Sequence, residues 1–235
     1  MTPLDMDARK SVLQRTAFFK NADGPALSAA AEAAGELALK KDETLFHQGE
    51  EASYSYLLAW GRLRLDQTTP DGRNVVIRYL GPGDLVGTVA VLRRKPYPAT
   101  PVAVEDGMAL FWSAAAKAKL IAEHPTLAAN AINLIGGRLE ELQERLQELA
   151  TQRVERRIAA TLLRMVRQAG RRVADGVEIP FTLSRNEIAE MNATTLHTVS
   201  RTLSAWEQEG ILSGKRSSHL VITKPHRLVE IAEHE

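Results

Sequence analysis

The sequence predicts an α+β chain in three parts: a β-rich first half, a long helix, and a helical second half that ends in a hairpin. Short strand-like runs separated by glycine-containing turns fill residues 44–87, which is typical of a small barrel or jelly roll. Apolar residues recur at alternating spacings of four and three over residues 127–153, as in a long amphipathic helix. Two short helical segments and a further hairpin occupy residues 184–223.

The size and composition fit two globular domains. With 235 residues, 44% of them apolar, the chain can build two cores. We predict a first domain over residues 1–125, a linking helix over 126–152 and a second domain over 153–235. The absence of cysteine excludes disulfides, zinc fingers and cysteine-ligated iron–sulfur clusters.

The N-terminal residues give no sign of export. Asp5, Asp7, Arg9 and Lys10 stand where a signal peptide would have an apolar run, and the sequence has no run of about 18 apolar residues. We therefore expect a cytoplasmic protein that does not enter a membrane.

Charge is distributed unevenly although the net charge is only +1. From Thr151 onward there are 13 Lys and Arg against 10 Asp and Glu, and seven arginines crowd residues 153–172 beside a single acid, Glu155. A basic helical segment is consistent with nucleic-acid binding, although solvated basic helices are also common.

The long helix carries a continuous apolar seam. A helix packed on its own domain is the alternative, but so regular a repeat favours pairing of two long helices in a dimer. Gly136 and Gly137 interrupt the repeat and each costs about 1 kcal/mol relative to Ala, which suggests close backbone approach or a hinge. The seam consists of Ala128 and the predicted dimerisation residues Ile132, Ile135, Leu139, Leu142, Leu146 and Leu149.

The first half begins with helical segments and continues as strands. Ser11 to Ala38 is alanine-rich and predicts one or two short helices. Pro70-Asp71-Gly72 predicts a hairpin turn, because Pro presets φ and Gly accepts a positive φ. The strand-like runs are residues 44–49, 54–60, 62–66 and 75–80.

Residues 81–87, Gly-Pro-Gly-Asp-Leu-Val-Gly, resemble the signature of the cyclic-nucleotide-binding fold. Together with Gln48-Gly49-Glu50 and a hairpin at Gly61, the resemblance covers residues 10–125 and implies a β jelly roll. In nucleotide-binding members the residue after the last Gly is an acid that binds the ribose, and an Arg-Ser or Arg-Thr pair neutralises the phosphate. Thr88, Pro98 and Ala99 occupy these places, so we do not expect cAMP to bind.

The second half contains a predicted helix-turn-helix. Ser184 and Glu187 have capping-box spacing, and Thr194 or Thr195 can cap a second helix. An ordinary helical hairpin is the alternative. With the hairpin over Ser213 to Thr223, the pattern predicts a winged helix-turn-helix. The second helix would bury Leu196, Val199, Leu203 and Trp206 and expose His197, Thr198, Ser200, Arg201 and Ser204.

The whole chain resembles the Crp/Fnr family of bacterial transcription regulators, most strongly over Ser184 to Gly210. The resemblance implies a homodimer that binds a palindromic promoter site in double-stranded DNA and acts with RNA polymerase. Fnr-like recognition helices carry Glu followed by Ser-Arg, and here His197 replaces the Glu while Ser200-Arg201 is retained. The predicted DNA-binding residues are Arg201, Ser200, His197, Thr198, Thr195 and Ser184.

The absence of cysteine limits the signals that this chain could sense. Without cysteine, the cluster-based oxygen sensing of Fnr is excluded. Residues 95–100 and the recognition helix are most similar to the Dnr/NnrR group, which implies nitric-oxide sensing through haem and control of nitrogen-oxide or anaerobic metabolism genes. His47, expected on a barrel strand, and His124, before the long helix, are the candidate axial ligands.

Three alternatives remain open at the level of the sequence. The chain could be a ligand-independent member of the family, a member with a different small organic effector, or a barrel that docks a protein partner. An enzyme is not expected, since no phosphate loop, nucleophile elbow or metal-binding His-Glu spacing is present.

Overall fold

The computed structural model describes residues 4–72, 74–214 and 219–233. The chain divides into two compact units, residues 1–72 with 79–142 and residues 73–78 with 143–235. Among the described helices, none combines the length and apolar character that a membrane crossing needs.

The first half is an α+β domain built around two antiparallel sheets. The sheets have the strand orders β1-β7-β2-β5 and β4-β3-β6, which confirms the predicted sheet domain. Its elements are α1 (Met6–Gln14), a 3₁₀ helix (Ala17–Phe19), α2 (Gly24–Glu32), β1 (Gly35–Leu39), β2 (Tyr54–Trp60), β3 (Leu63–Thr68), β4 (Asn74–Leu80), β5 (Leu85–Val86), α3 (Thr88–Arg93), β6 (Thr100–Ala103), β7 (Gly107–Ser113) and α4 (Ala114–Glu123).

Two local predictions in this half are wrong. Ala38 lies in β1 rather than in a helix, because the strand pairs along its length with β7, from Gly35 opposite Phe111 to Leu39 opposite Gly107. Residues 44–49 form a loop whose only strand-like contact in the described structure is a single bridge from Thr44 to Val102. The Gln48 side chain takes the place of a ladder there, since it accepts from Thr68 N at 2.7 Å and donates to Thr68 O at 3.0 Å.

Helix α5 (Pro125–Thr151) is the predicted long helix, and it has two apolar faces near its start. Leu127 and Ala131 are buried in the core that α1, α2, β7 and α4 share, and Leu134 packs against that core. The seam lies on a different face: its large residues, Ile132 through Leu149, are between 40% and 69% exposed in the single chain. The alternative of a helix packed on its own domain therefore describes the first face and not the seam.

The second half contains a helical core and a small antiparallel sheet. Helix α6 (Val154–Ala169) buries Ile158, Leu162 and Met165, as its apolar pattern predicts. The sheet has the order β10-β11-β9-β8. The elements after α6 are β8 (Arg171–Val173), β9 (Gly176–Ile179), α7 (Arg185–Met191), α8 (Leu196–Gln208), β10 (Leu212–Ser213), β11 (Leu220–Ile222) and α9 (Pro225–Glu233).

Candidate nucleic-acid interface

Helices α7 and α8 form a helix-turn-helix with both starts capped as the sequence predicts. Ser184 and Glu187 make a full capping box: Ser184 Oγ accepts from Glu187 N, and Glu187 Oε2 accepts from Ser184 N at 2.7 Å. Thr195, not Thr194, caps α8 by accepting from Thr198 N at 3.2 Å. Each cap satisfies a backbone N–H that the helix cannot pair itself.

The turn between the helices is built around Asn192, which is only 1% exposed. Its amide oxygen accepts from the Thr161 hydroxyl at 3.0 Å, and its amide nitrogen donates to Ile188 O at 2.7 Å. Ala193 then adopts a left-handed conformation with φ 47°. The sequence predicts a short break at Asn192 and Ala193 but not the burial of Asn192, because nothing in the sequence reveals that Thr161 of α6 packs against this turn.

Helix α8 has the predicted buried face with one exception. Val199, Leu203 and Trp206 are buried, whereas His197 and Arg201 are exposed four residues apart on one side. Leu196 was predicted to be buried, but it is 50% exposed. It is the first residue of the helix, so it extends beyond the part of α8 that the core covers.

Arg201 differs from three arginines of α6, Arg156, Arg157 and Arg164, which all bind groups within the described structure. It makes no hydrogen bond or ion pair to any residue that the structure describes. By contrast, Arg157 donates to Gln152 O and Asn192 O, and Arg164 pairs with Glu148 at 2.7 Å. Much of the basic character of α6 therefore serves folding, with Glu148 of α5 as one ion-pair partner.

A second network fixes the orientation of α8 on α7. Arg185 Nη1 donates to Ser200 O and to Ser204 Oγ at 3.3 Å, and Arg185 Nη2 pairs with Glu207 at 3.1 Å. These contacts hold the side of α8 that faces α7. They leave the side chain of Ser200 half-buried next to exposed Arg201.

The small sheet of the second half places a charged cluster beside the predicted hairpin. Arg171 donates to Glu178, and His219 Nδ1 lies 3.0 Å from Glu178 Oε1. The hydrogen bond from Arg171 lowers the pKa of Glu178, against the raising effect of burial and with a smaller contribution from His219. The tip of the predicted hairpin, residues 215–218, lies outside the described residues, as does His234.

The first candidate haem ligand, His47, is exposed in the loop after β1 instead of lying on a strand. It lines an open cleft of about 770 Å³ together with Gln48, Gln67, Thr68, Thr100 and neighbouring residues. Haem is a broad, largely apolar ring, and the side chains that line this cleft are His47, Pro70, amides and hydroxyls rather than large apolar groups.

The second candidate, His124, is half-buried at the C-terminal end of α4. Its backbone N–H donates to Leu120 O, and its carbonyl accepts from Leu127 N at 2.9 Å, so it joins α4 to α5. This is a structural position at a helix junction. In the described parts of the chain, no group of three or more His, Asp or Glu side chains is arranged to hold a metal ion.

The segment that would bind a cyclic phosphate carries no buried guanidinium. Thr88 is buried at the start of α3, Ala99 is buried, and Pro98 is exposed. Between them Tyr97 stacks on Phe46 with ring centroids 3.6 Å apart, and its hydroxyl donates to Tyr54 O. Apolar packing therefore fixes this segment where nucleotide-binding members would hold a phosphate.

Comparison with known proteins gives matches over both halves. Residues 36–124 match the family model of the cyclic nucleotide-binding domain, and residues 156–231 match the Crp-like helix-turn-helix domain. The chain is 33% identical to the cyclic AMP receptor protein of Thermus thermophilus over 72% of this chain and 74% of that protein. It is 25% identical to the fumarate and nitrate reduction regulatory protein of Escherichia coli over 83% of this chain and 78% of that protein.

A solved structure extends the likeness to the whole fold. FixK2 from Bradyrhizobium japonicum matches with a TM-score of 0.73 and 26% identity, over 86% of this chain and 98% of that one. The sheet domain, the long helix and the helix-turn-helix thus follow one another as they do in a known structure, which confirms the predicted fold class.

Proposed function

The chain belongs to the Crp/Fnr family of transcription regulators, and from that premise we propose that it binds a specific promoter sequence in double-stranded DNA. The observation that supports this proposal most directly is the exposure of polar side chains on α8. Its exposed side presents His197 and an Arg201 that no described residue engages, whereas neighbouring arginines are occupied within the fold. A helix with such a face suits the major groove.

We assign Arg201 the reading of guanine. A guanidinium can donate to guanine O6 and N7 together, which is worth about 1 to 3 kcal/mol of discrimination. His197, on the same side of α8, replaces the carboxylate of Fnr-like helices; neutral imidazole can donate or accept, whereas imidazolium only donates. Ser200 and Thr198 lie beside these two, and the capping hydroxyls of Ser184 and Thr195 can still donate to phosphate oxygens.

We further propose that Leu196 reads thymine. An exposed leucine at the start of a recognition helix has apolar surface to cover, and the thymine methyl group is the apolar feature of the major groove. The half-site would then combine a guanine read by Arg201 with a thymine beside it.

We propose that two chains bind together through the seam of α5. Large apolar residues that are left exposed along one helical face are stabilised when a second copy covers them. A symmetric dimer would present two copies of α8 to successive major grooves, ~34 Å apart, and so bind a palindromic site. RNA polymerase is the partner that such a promoter-bound regulator would act on.

Salt dependence of binding tests the DNA assignment. Affinity for a mixed-sequence duplex should fall about a thousandfold between 50 and 200 mM salt, because phosphate contacts release counterions. Fluorescence anisotropy with a labelled duplex measures this fall. A barrel that merely docks a protein partner would bind no duplex at any of these salt concentrations, and that result would overturn the proposal.

We propose that a small polar effector or the abundance of the protein controls its activity, in preference to haem. The cleft beside His47 and the junction position of His124 support this order, since neither suits a haem. Nitric-oxide sensing through haem, with control of nitrogen-oxide or anaerobic metabolism genes, stays a prediction. A saturable one-per-subunit Soret shift on titration with haemin, and DNA binding that depends on nitric oxide, would reverse our order.

A further inference from the structure

Lys117 is a fully buried lysine in the core of the first domain. Its side chain projects from α4 and is 0% exposed. Its Nζ has no hydrogen-bond acceptor among the residues that the structure describes. A lysine in an alanine-rich helix would ordinarily face solvent, and a buried ammonium without an anion or an acceptor is costly. The position therefore requires a physical reason.

Three aromatic rings surround this amine. Nζ lies 3.9 Å from the centroid of the Phe18 ring, 4.7 Å from that of Trp112 and 5.8 Å from that of Phe19. The indole of Trp112 is held in place because its Nε1 donates to Ala30 O at 2.8 Å. We call Lys117 and these three rings the lysine cage.

The lysine cage is connected to the start of α5. Asn130 Nδ2 donates to Phe18 O and to Lys20 O, each at 2.8 Å. The 3₁₀ helix that carries two of the cage rings is thereby fastened to α5 two residues before Ile132, the first large residue of the seam. Displacement of the Phe18 backbone would break one of these two hydrogen bonds.

The charge of Lys117 is open to change near neutral pH. Burial lowers the pKa of Lys117 from 10.5 to about 7, and no charged side chain contributes to the shift. The ring faces act in the opposite direction because they attract a cation. Among the titratable residues on the elements around the cage, Lys10, His124 and the Arg9–Glu36 pair are half-buried. The exposed ones include Arg15, Lys20, Glu32, Lys119 and Glu123.

We propose that the lysine cage is a pH-dependent joint between the 3₁₀ helix and α5. While the Lys117 amine is neutral, the rings pack around it. Protonation drives the ammonium toward water, separates the rings and releases the start of α5. The chain would thus convert a change of pH into a change at the start of its long helix. The joint depends neither on DNA binding nor on the identity of an effector.

The direct test follows the Lys117 side chain by NMR in the full-length chain with ¹³C-labelled lysine. The Lys117→Met variant, which keeps the unbranched length without a charge, assigns the resonance. We expect one lysine to titrate near pH 7 and the others above about pH 10. If Lys117 titrates together with the other lysines, the proposal is overturned.

A second measurement asks whether titration moves the joint. Amide hydrogen exchange at residues 126–134, normalised to the intrinsic rate at each pH, should be at least threefold faster at pH 6 than at pH 8. Lys117→Met should abolish the difference. Lys119→Met on the exposed side of α4 and His124→Gln should retain it. Equal normalised exchange at both pH values in the parent chain would overturn the joint even if Lys117 titrates near pH 7.

The sign of the stability effect supplies an independent check. Because the folded pKa lies below the unfolded value, the folding equilibrium constant should be largest above pH 10.5, fall with decreasing pH by up to about tenfold per unit, and level off below pH 7. Comparison with Lys117→Met isolates this contribution from other titrations. A difference that is flat between pH 7 and 10 would contradict the proposal.

Discussion

On helix α8 the side chains of His197 and Arg201 are exposed, and no described residue pairs with Arg201. In the sheet domain, Thr88, Pro98 and Ala99 occupy the positions at which nucleotide-binding relatives carry ligand-binding residues. Packing around Tyr97 fixes this segment. One half of the chain thus keeps polar groups available to a partner, whereas the other has replaced them. Likeness to the family therefore extends to the exposed groups of the DNA-binding half and not to the nucleotide-contacting positions of the first half.

The same contrast separates the arginines. Those of α6 that donate to backbone carbonyls or pair with Glu148 contribute to stability, whereas Arg201 contributes donors to the surface. Net charge and arginine density do not make this distinction. If exposed groups serve function and paired groups serve folding, substitutions at the two kinds of position should have different effects.

The largest effect is expected at the seam. Leu139→Glu should weaken the dimer by at least about 3 kcal/mol, more than a hundredfold, because each subunit would bury a carboxylate without a partner. Analytical ultracentrifugation measures the dissociation constant. Glu140→Ala, one residue along on the same helix, should leave it unchanged. If Leu139→Glu remains as dimeric as the parent chain, the seam is not the interface.

The next effect is on folding. Asn192→Ala should lower the free energy of unfolding by about 2 to 4 kcal/mol, since it leaves the Ile188 carbonyl and the Thr161 hydroxyl with fewer partners in a buried site. Urea unfolding followed by circular dichroism measures this loss. The exposed Asn186→Ala on α7 is the matched control, expected within about 0.5 kcal/mol of the parent. Equal losses in the two variants would show that the turn does not depend on Asn192.

Arg201→Ala should weaken DNA binding without changing the free energy of unfolding. We expect about 1 to 3 kcal/mol weaker binding to a duplex with the recognised site, and little change in binding to a mixed-sequence duplex. The exposed Arg167→Ala on α6 provides the control for loss of one positive charge. If the two variants bind the recognised duplex equally well, Arg201 does not read a base.

The smallest effect concerns Leu196. Leu196→Ala should weaken binding by about 1 kcal/mol, the value of the apolar surface that contacts a thymine methyl group. Replacing the thymine by uracil in the duplex removes the same methyl group. The parent chain should therefore lose affinity for the uracil duplex, and Leu196→Ala should not. Additive losses would place Leu196 away from that base.

Much of the fold could be predicted because local patterns decide it. Strand β2 has the predicted bounds of residues 54–60, the capping box at Ser184 is present, and α6 buries the apolar side that its periodicity indicates. The exposure of the seam in the single chain also agrees with the repeat. These features depend on residues close together in the sequence.

The errors occur where distant contacts decide. His47 was predicted on a strand, but the backbone of that loop bonds to Thr100 and is joined to Thr68 by the Gln48 side chain. Leu196 follows the apolar spacing of α8, yet it is half exposed at the first position of the helix. Lys117 has no sequence signal of burial, because Phe18 and Trp112 lie far from it along the chain or on another element.

Selection from a random DNA library tests the central claim most directly. The parent chain should enrich a two-fold symmetric motif whose half-sites are about one helical turn apart, with a guanine in each half. The Arg201→Ala variant should lose the preference for that guanine while keeping the half-site spacing. An enriched motif without symmetry, or no enrichment over the starting library, would contradict a dimer that reads DNA through α8.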